Sequence, residues 1–530
     1  MLADFIYDPF VPQQLQENGF LPVHYQAPLV EGNDAYMTIK SGALTSNWAT
    51  QVWNVTNLRW TNGKLVQQWS VTSDWKPVPV AEAGGGPFFE PVFHPILAGD
   101  VLWTPGVSGS LLAFDRFSGV LIRRVNPFST LDPNTYVSGP LAADSAGNVY
   151  YNAIQFNAAH PWTNDVVNAW LVKVRPDGSS SRATYNSITP NTPHATDMCL
   201  GVFTSALPWP PSPTAVPPSV TCGSQRPGVN VAPAIASDGT IYTVSRAHLN
   251  SRWGYLVAVN PDLTPKWVTS MRDRFNDGCN VLIPPNGTPG GCRAGAHTGV
   301  DPSDNTPGAG AVNDNSSSCP VVAPDGSIFY GAYTRYNYAQ GHMTHFSPTG
   351  QFLGGYRFGW DITPAIWPHD GTYSLITKEN HYGEAGSYCG DPTVCPTGRT
   401  AADPEQYLIT RLSPSLDVEW QFKSTNTKSC ERLPNGSLEC FDDHPDGFEW
   451  CVNAPAVDAN GMTYVNSEDG FLYAIDTTGH ENGKIFLQLA IGAAYTPLSI
   501  DPAGRIFTQN AGHLFVVGET GVARRRAVTH

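Results

Sequence analysis

The 530-residue chain has no apolar run near the roughly 20 residues that span a bilayer as a helix. It is also short of charge: 14% of residues are Asp, Glu, Lys or Arg, and only 30 are basic against 45 acidic. A net charge of -15 repels phosphate backbones and anionic lipid surfaces, so nucleic-acid binding and membrane anchoring by charge are excluded. The Arg524-Arg525-Arg526 cluster is read as part of an exposed tail over 519–530. No Gly-x-x-x-x-Gly-Lys loop, Gly-x-Gly-x-x-Gly fingerprint or Gly-x-Ser-x-Gly elbow occurs, which removes the usual marks of nucleotide-driven enzymes and serine hydrolases. Among ten cysteines there is no Cys-x-x-Cys and no Cys-Cys, so a zinc ribbon, a thioredoxin motif and an attached haem are unsupported.

The cysteines instead lie in near pairs within loop-like segments: Cys199 and Cys222, Cys279 and Cys292, Cys389 and Cys395, Cys430 and Cys440, with Cys319 and Cys451 left as a candidate fifth pair. Loop-stapling disulfides fit an oxidising compartment, so the protein is expected to be secreted or periplasmic, its signal peptide not part of this sequence. It is also expected to be a monomer.

What the chain has in abundance is Gly (50), Pro (46) and aromatics, the composition of short strands joined by turns. The stretch TPAIWPHDGTY, from Thr363 to Tyr373, shows the pattern: Pro, two apolar residues, a Gly turn, an aromatic. It recurs eight times, from Pro28, Pro95, Pro140, Pro233, Pro320, Pro364, Pro455 and Pro497, with Pro-to-aromatic separations of 8, 8, 10, 9, 9, 9, 9 and 10. A third alternating run follows, such as Leu111 to Asp115 or Phe471 to Asp476, and a fourth often carries Trp69, Trp267 or Trp420. Pro is tolerated where a strand begins, and Asp-Gly or Asn-Gly supplies the positive φ of a tight hairpin. Four strands per unit and eight units predict an all-β fold: a single eight-bladed β-propeller of four-stranded antiparallel blades. The last unit lacks a fourth strand. Part of the N-terminal segment, 1–25, is expected to supply it and so close the ring and remove an open edge.

These units resemble the repeats of the quinoprotein dehydrogenase-like, eight-bladed propeller superfamily, and AVNPDLTPKW (Ala258 to Trp267) and AFDRFSGVLI (Ala113 to Ile122) look like its blade-docking segment. The superfamily includes alcohol dehydrogenases that use pyrroloquinoline quinone (PQQ) and non-catalytic scaffolds of outer-membrane assembly. The adjacent cysteines that lie over PQQ in those enzymes are absent here, as is the lipidated N-terminal Cys of the scaffolds.

Strand counting places the long insertions, Gln155 to Trp170, Ala183 to Val231, Met271 to Ser318, Glu379 to Glu405 and Ser424 to Asn453, on one face around the funnel mouth. Loops on a rigid scaffold are where binding and catalysis reside. On that face His94, His297, His381 and His444 are candidate ligands for copper or another divalent metal. Asp361 or Glu379 is a candidate base, Lys378 or Arg246 a candidate cation for a developing oxyanion, and Trp360 with Tyr382 a candidate platform for a planar cofactor such as PQQ. The segments DPSDNTPG (Asp301 to Gly308) and DDHPDG (Asp442 to Gly447) are oxygen-rich enough for calcium, although Asx turns explain them equally well. Two functions follow: a small-molecule-binding propeller, with metal- or quinone-dependent oxidoreductase chemistry, or a non-catalytic scaffold for protein partners at the cell envelope.

Overall fold

In the computed structural model, residues 1–18, 26–45, 48–80, 90, 94–203, 211–281, 283, 292–335, 340–357, 361–381, 406–450, 452, 454–490 and 497–518 are described. Their strands form eight principal antiparallel sheets and two small hairpins. The first strands are short and begin just after the eight prolines: Leu29–Glu31, Ile96–Ala98, Ala142–Ala143, Ala234–Ile235, Val321–Val322, Ala365–His369, Ala456–Val457 and Ser499–Ile500. These define blades 1 to 8 in chain order. First strands of blades 8 and 1, 2 and 3, 3 and 4, 4 and 5, and 6 and 7 lie against one another, so they ring the axis and fourth strands form the rim. Blades 3 and 4 carry an extra inner strand, Thr135–Val137 and Gln225–Pro227, paired to the second strand.

The apolar core is a circle of interfaces. Tyr36, Trp69, Leu102 and Phe114 join blades 1 and 2; Trp103, Leu111 and Tyr151 join 2 and 3; Tyr150, Leu171 and Ile241 join 3 and 4. Tyr242, Val244 and Ile328 continue it to blade 5, and Phe329, Leu375 and Tyr473 through 6 to 7. Leu472, Ile506 and Phe515 reach blade 8, and Phe507, Leu514, Ala35 and Met37 return to blade 1. The aromatic that ends each repeat therefore packs into the next blade, which is why its spacing from the proline is so constant.

The fourth-strand tryptophans lock this contact. Trp69, Trp267 and Trp420 each cover a glycine in a turn of the following blade: Gly119, Gly350 and Gly479, all with φ between 72° and 84°. The indole N–H of Trp69 donates to the carbonyl of Arg116 and that of Trp267 to Pro348, both at 3.0 Å. A Cβ at Gly350 would lie 2.6 Å from the Trp267 ring, so glycine is required there both by its φ and by the close approach.

The ring closes as expected: Ala3–Ile6 pairs antiparallel with His513–Val517 and becomes the fourth strand of blade 8. Beyond that strand, the carbonyl of Gly512 accepts from the N–H groups of Tyr7 and Asp8, and Lys40 N–H donates to Tyr7. The Lys40 ammonium, in the second strand of blade 1, is buried between Asp8 (2.9 Å) and Glu90 (2.7 Å). Burial pushes Glu90 up and opposes charge on Lys40, but two carboxylates around one ammonium hold Lys40 above its ordinary value.

Replacing Lys40 by Met leaves two carboxylates buried without a counterion, and the expected loss is about 3–5 kcal/mol by denaturant unfolding. Gly350→Ala, which touches only the blade 4–5 contact, should cost at least about 2 kcal/mol through the φ requirement and the clash with Trp267. Replacement of exposed Gly371, where an added Cβ meets nothing within 4 Å, should cost only the φ penalty.

Candidate functional site

Strands alternate in direction within a blade, so the loop from a fourth strand to the next first strand and the loop between strands two and three emerge on the same face. All the long insertions lie there. Cys199–Cys222, Cys279–Cys292 and Cys430–Cys440 staple three of them. Cys319 carries a free thiol and is not half of a fifth bridge; Cys389, Cys395 and Cys451 lie outside the described residues.

Glu379 and His381 end the second strand of blade 6, Thr372–His381, and alternation puts them on one side, as the sequence predicts. Glu379 Oε1 meets His381 Nε2 at 2.7 Å. Its other oxygen accepts from Tyr356 (2.6 Å), Thr410 (2.5 Å) and Gln421 (2.9 Å). Burial pushes the carboxyl up, but the hydrogen bonds from His381, Thr410 and Tyr356 outweigh it and hold the group below the usual carboxylate range. An anion so fully solvated by protein donors holds blades 5 and 6 together; it is a poor proton acceptor.

Arg246 is equally committed. Its guanidinium donates to Asp314 (2.8 Å) and to the carbonyls of Ala247, His248 and Val312. Arg226 forks onto the same carboxylate at 2.8 and 2.6 Å, and its Nε donates to His248 Nδ1 at 2.8 Å. Burial, then the charges of Arg226 and Arg246, lower His248 to about 2, so its ring is neutral and its Nε2–H points to the Asn164 carbonyl. Lys378 is buried in the strand beside Glu379 and has partners of its own.

The four proposed metal-binding histidines do not converge: among the described residues no group of three or more His, Cys, Asp or Glu could hold an ion. His94 sits before the first strand of blade 2, half-buried, and burial lowers its pKa; its Nδ1 lies 3.2 Å from the Pro95 carbonyl. His297 is exposed in the loop stapled by Cys279–Cys292. His444 rests on Phe448 with ring centroids 3.9 Å apart and meets Asp443 at 2.6 Å. A propeller separates them because consecutive blades turn their loops around the circumference. The acids of DPSDNTPG are also taken: Asp301 and Asp304 both hold Arg252, Arg272 joins Asp304, and each carboxylate caps its own Asx turn. Trp360 and Tyr382 lie outside the described residues.

Asp361 differs from all of these. It lies three residues before Pro364, has a φ of 51° and is fully buried. One oxygen accepts the Ser317 N–H at 3.0 Å; among the described residues the other has no hydrogen-bond partner, nor has the buried Ser317 hydroxyl. Ser317 stands at the same place in blade 5, three residues before Pro320. The two loops interlock further through Cys319 N–H to Thr363 Oγ1 (3.1 Å) and Ile362 N–H to Ser318 Oγ (2.9 Å). A buried carboxylate oxygen without a donor carries a desolvation cost that ordinarily has a compensating partner.

Two constellations escape sequence reasoning. Asp277 and His342, 65 residues apart, meet at 2.7 Å, with Thr334 donating to the same carboxylate and Phe275 stacked on the imidazole at 3.8 Å. The Arg226–Asp314 fork spans 88 residues. Of these, only Phe275, Asp277, Arg226 and Asp314 lie in insertions that the sequence places on the loop face.

No protein-family model and no curated protein matches the chain. Among solved structures, it is similar to a europium-containing methanol dehydrogenase at 12% identity and a TM-score of 0.46, covering 91% of this chain and 82% of that one. It is similar to BamB from Moraxella catarrhalis at 11% identity and 0.44, covering 94% and 95%. A quinohemoprotein alcohol dehydrogenase from Comamonas testosteroni gives 11% and 0.46, covering 91% and 69%.

Because the folded pKa of Glu379 is depressed, its contribution to stability is present above the unfolded value of about 4.3 and lost as pH falls through the folded one. Glu379→Gln should therefore be about 1–3 kcal/mol less stable than wild type at pH 7, with the difference shrinking toward pH 3 in urea unfolding. A difference that stays constant with pH would mean that the carboxylate charge is immaterial.

Proposed function

We propose that this is an exported propeller that binds a small ligand at the inner end of its loop-rich face, with Asp361 as the ligand-binding carboxylate. The observation that carries the reading is that Asp361, joined to Ser317 through one carboxylate oxygen, keeps its other oxygen without a partner among the described residues, as does the Ser317 hydroxyl. Both groups are the hard oxygen donors that a cation such as calcium takes, and both stand next to the innermost strands of blades 5 and 6. A cation there would supply Lewis-acid polarisation to a substrate or quinone carbonyl, the chemistry an oxidoreductase role needs. Asp361 would hold it through the free oxygen while Ser317 N–H fixes the other, and the left-handed backbone at residue 361 sets the direction of the carboxylate.

A second reading, a non-catalytic propeller for envelope protein partners, draws on a separate observation. Glu379 and Arg246, the other candidate reacting groups, spend their hydrogen bonds on neighbouring side chains and backbone, as structural groups do.

The test is calorimetric unfolding with calcium chloride alone, on wild type and Asp361→Asn. Calcium at about a hundred times its Kd should stabilise wild type by about 2.7 kcal/mol and leave the variant unchanged. If wild type gains nothing and Asp361→Asn is as stable or more so without calcium, the funnel reading fails and the partner reading takes its place.

A further inference from the structure

The hairpin Lys428–Arg432 with Leu438–Asp442 belongs to no blade. It rises from the insertion between blades 6 and 7, fixed across its middle by Cys430–Cys440. Leu433 N–H donates to Ser437 and Asp443 N–H to Thr427, so by antiparallel alternation the hydrogen-bonded pairs are Glu431 with Glu439 and Ser429 with Phe441. The N–H and C=O groups of Leu438, Cys440 and Asp442 therefore point away from the hairpin, along an edge that no other described strand covers.

Three features of this edge are costly for a hairpin that stands alone. Every residue of Leu438–Asp442 is exposed, Phe441 at 56%. Glu431 and Glu439 face each other directly on one side of the ladder, with no described cation paired to either, where like charges repel. The turn end of the hairpin also borders a cleft of about 520 Å³, walled by Met1, Asp4, Glu431, Arg432, Phe486 and Phe515 at the junction of blades 7 and 8. Arg432 makes no ion pair with either glutamate; it holds the Phe486 carbonyl at 2.9 Å and lies over the Phe486 ring.

We infer that the stapled hairpin is a docking edge for a partner protein, which adds an extended basic segment antiparallel to Leu438–Asp442. An added strand satisfies the outward amides and carbonyls, and its side chains follow the same two-residue alternation. Basic residues opposite Asp442 on one face and Glu439 on the other would neutralise both acids, and apolar ones opposite Phe441 and Leu438 would cover them. The pattern read from Asp442 back to Leu438 is Lys-Val-x-Lys-Val. The disulfide holds the edge in its paired form before the partner arrives, which lowers the ordering entropy of docking. This inference does not depend on what binds at Asp361.

The test uses a fluorescein-labelled Thr-Lys-Val-Thr-Lys-Val-Thr peptide, capped at its C-terminus, with the full chain in anisotropy titrations. Two further probes are a Glu-for-Lys version and a version N-methylated on its pairing edge, which keeps the charge but cannot add as a strand. The basic peptide should bind at least tenfold more tightly than either. Glu431→Gln with Glu439→Gln should reduce its affinity at least tenfold while leaving Tm equal or higher, since repulsion is removed. Equal binding of the N-methylated probe would reduce the effect to attraction by net charge and overturn the proposal. So would absence of binding to wild type, or full affinity in the double variant.

Discussion

A propeller is stable only when its circle is complete, and in this chain completion falls to four residues. Ala3–Ile6 gives blade 8 its rim strand, and with it the contacts Phe507, Leu514 and Val516 make with blade 1 become one continuous interface. Sequence separation makes this the dearest contact to form, since it joins the two ends of the chain and its loop-closure entropy is the largest in the molecule. The chain secures it with more than one strand: the Asp8–Lys40–Glu90 cluster ties the segment after the closing strand to blade 1. The strand gives register and the buried ions tie down the segment that follows it.

Closure explains how the loop face can be so heavily built. Each blade interface is set by an aromatic from one repeat, and three of them also by a Trp-over-Gly contact with the next, on or near the short-turn face and the rim. The opposite ends of the strands are thereby free to carry insertions. Besides their own apolar clusters, those insertions are held by disulfides and by arginines divided among aspartates, as in Arg252 with Asp301 and Asp304 or Arg226 and Arg246 with Asp314. Buried ion networks of this sort specify one arrangement at the cost of desolvation, and they occupy many of the groups that chemistry would otherwise use.

This division decides what could be read from the sequence. The fold was legible because each blade repeats its own instructions within a short span, with 8 to 10 residues from proline to aromatic: a proline that starts a strand, a turn glycine, an aromatic at a near-fixed distance. The face bearing the insertions followed from strand parity alone. The site was legible only where local alternation rules it, as for Glu379 and His381. Where two loops from different blades meet, as Ser317 and Asp361 or Asp277 and His342, no spacing encodes the contact, because each insertion has its own length and path. The same limit separates the four histidines. They share a face by parity, but parity says nothing of position around the circle.

Asp361 then stands out on physical grounds. Glu379 shows how this protein treats a buried carboxylate that it needs only for structure: it surrounds both oxygens with donors. Asp314 is treated likewise, with two guanidiniums and the Val229 amide. Asp361 receives one amide, at a backbone conformation that an aspartate adopts only at some cost, and among the described residues its second oxygen has no partner, nor has the hydroxyl of Ser317. A structural role would have been served better by Asn, which tolerates the same φ and carries no charge to bury. The ligand proposed at Asp361 is one that needs the charge, and binding it would offset the cost of burying a carboxylate where an amide would cost less.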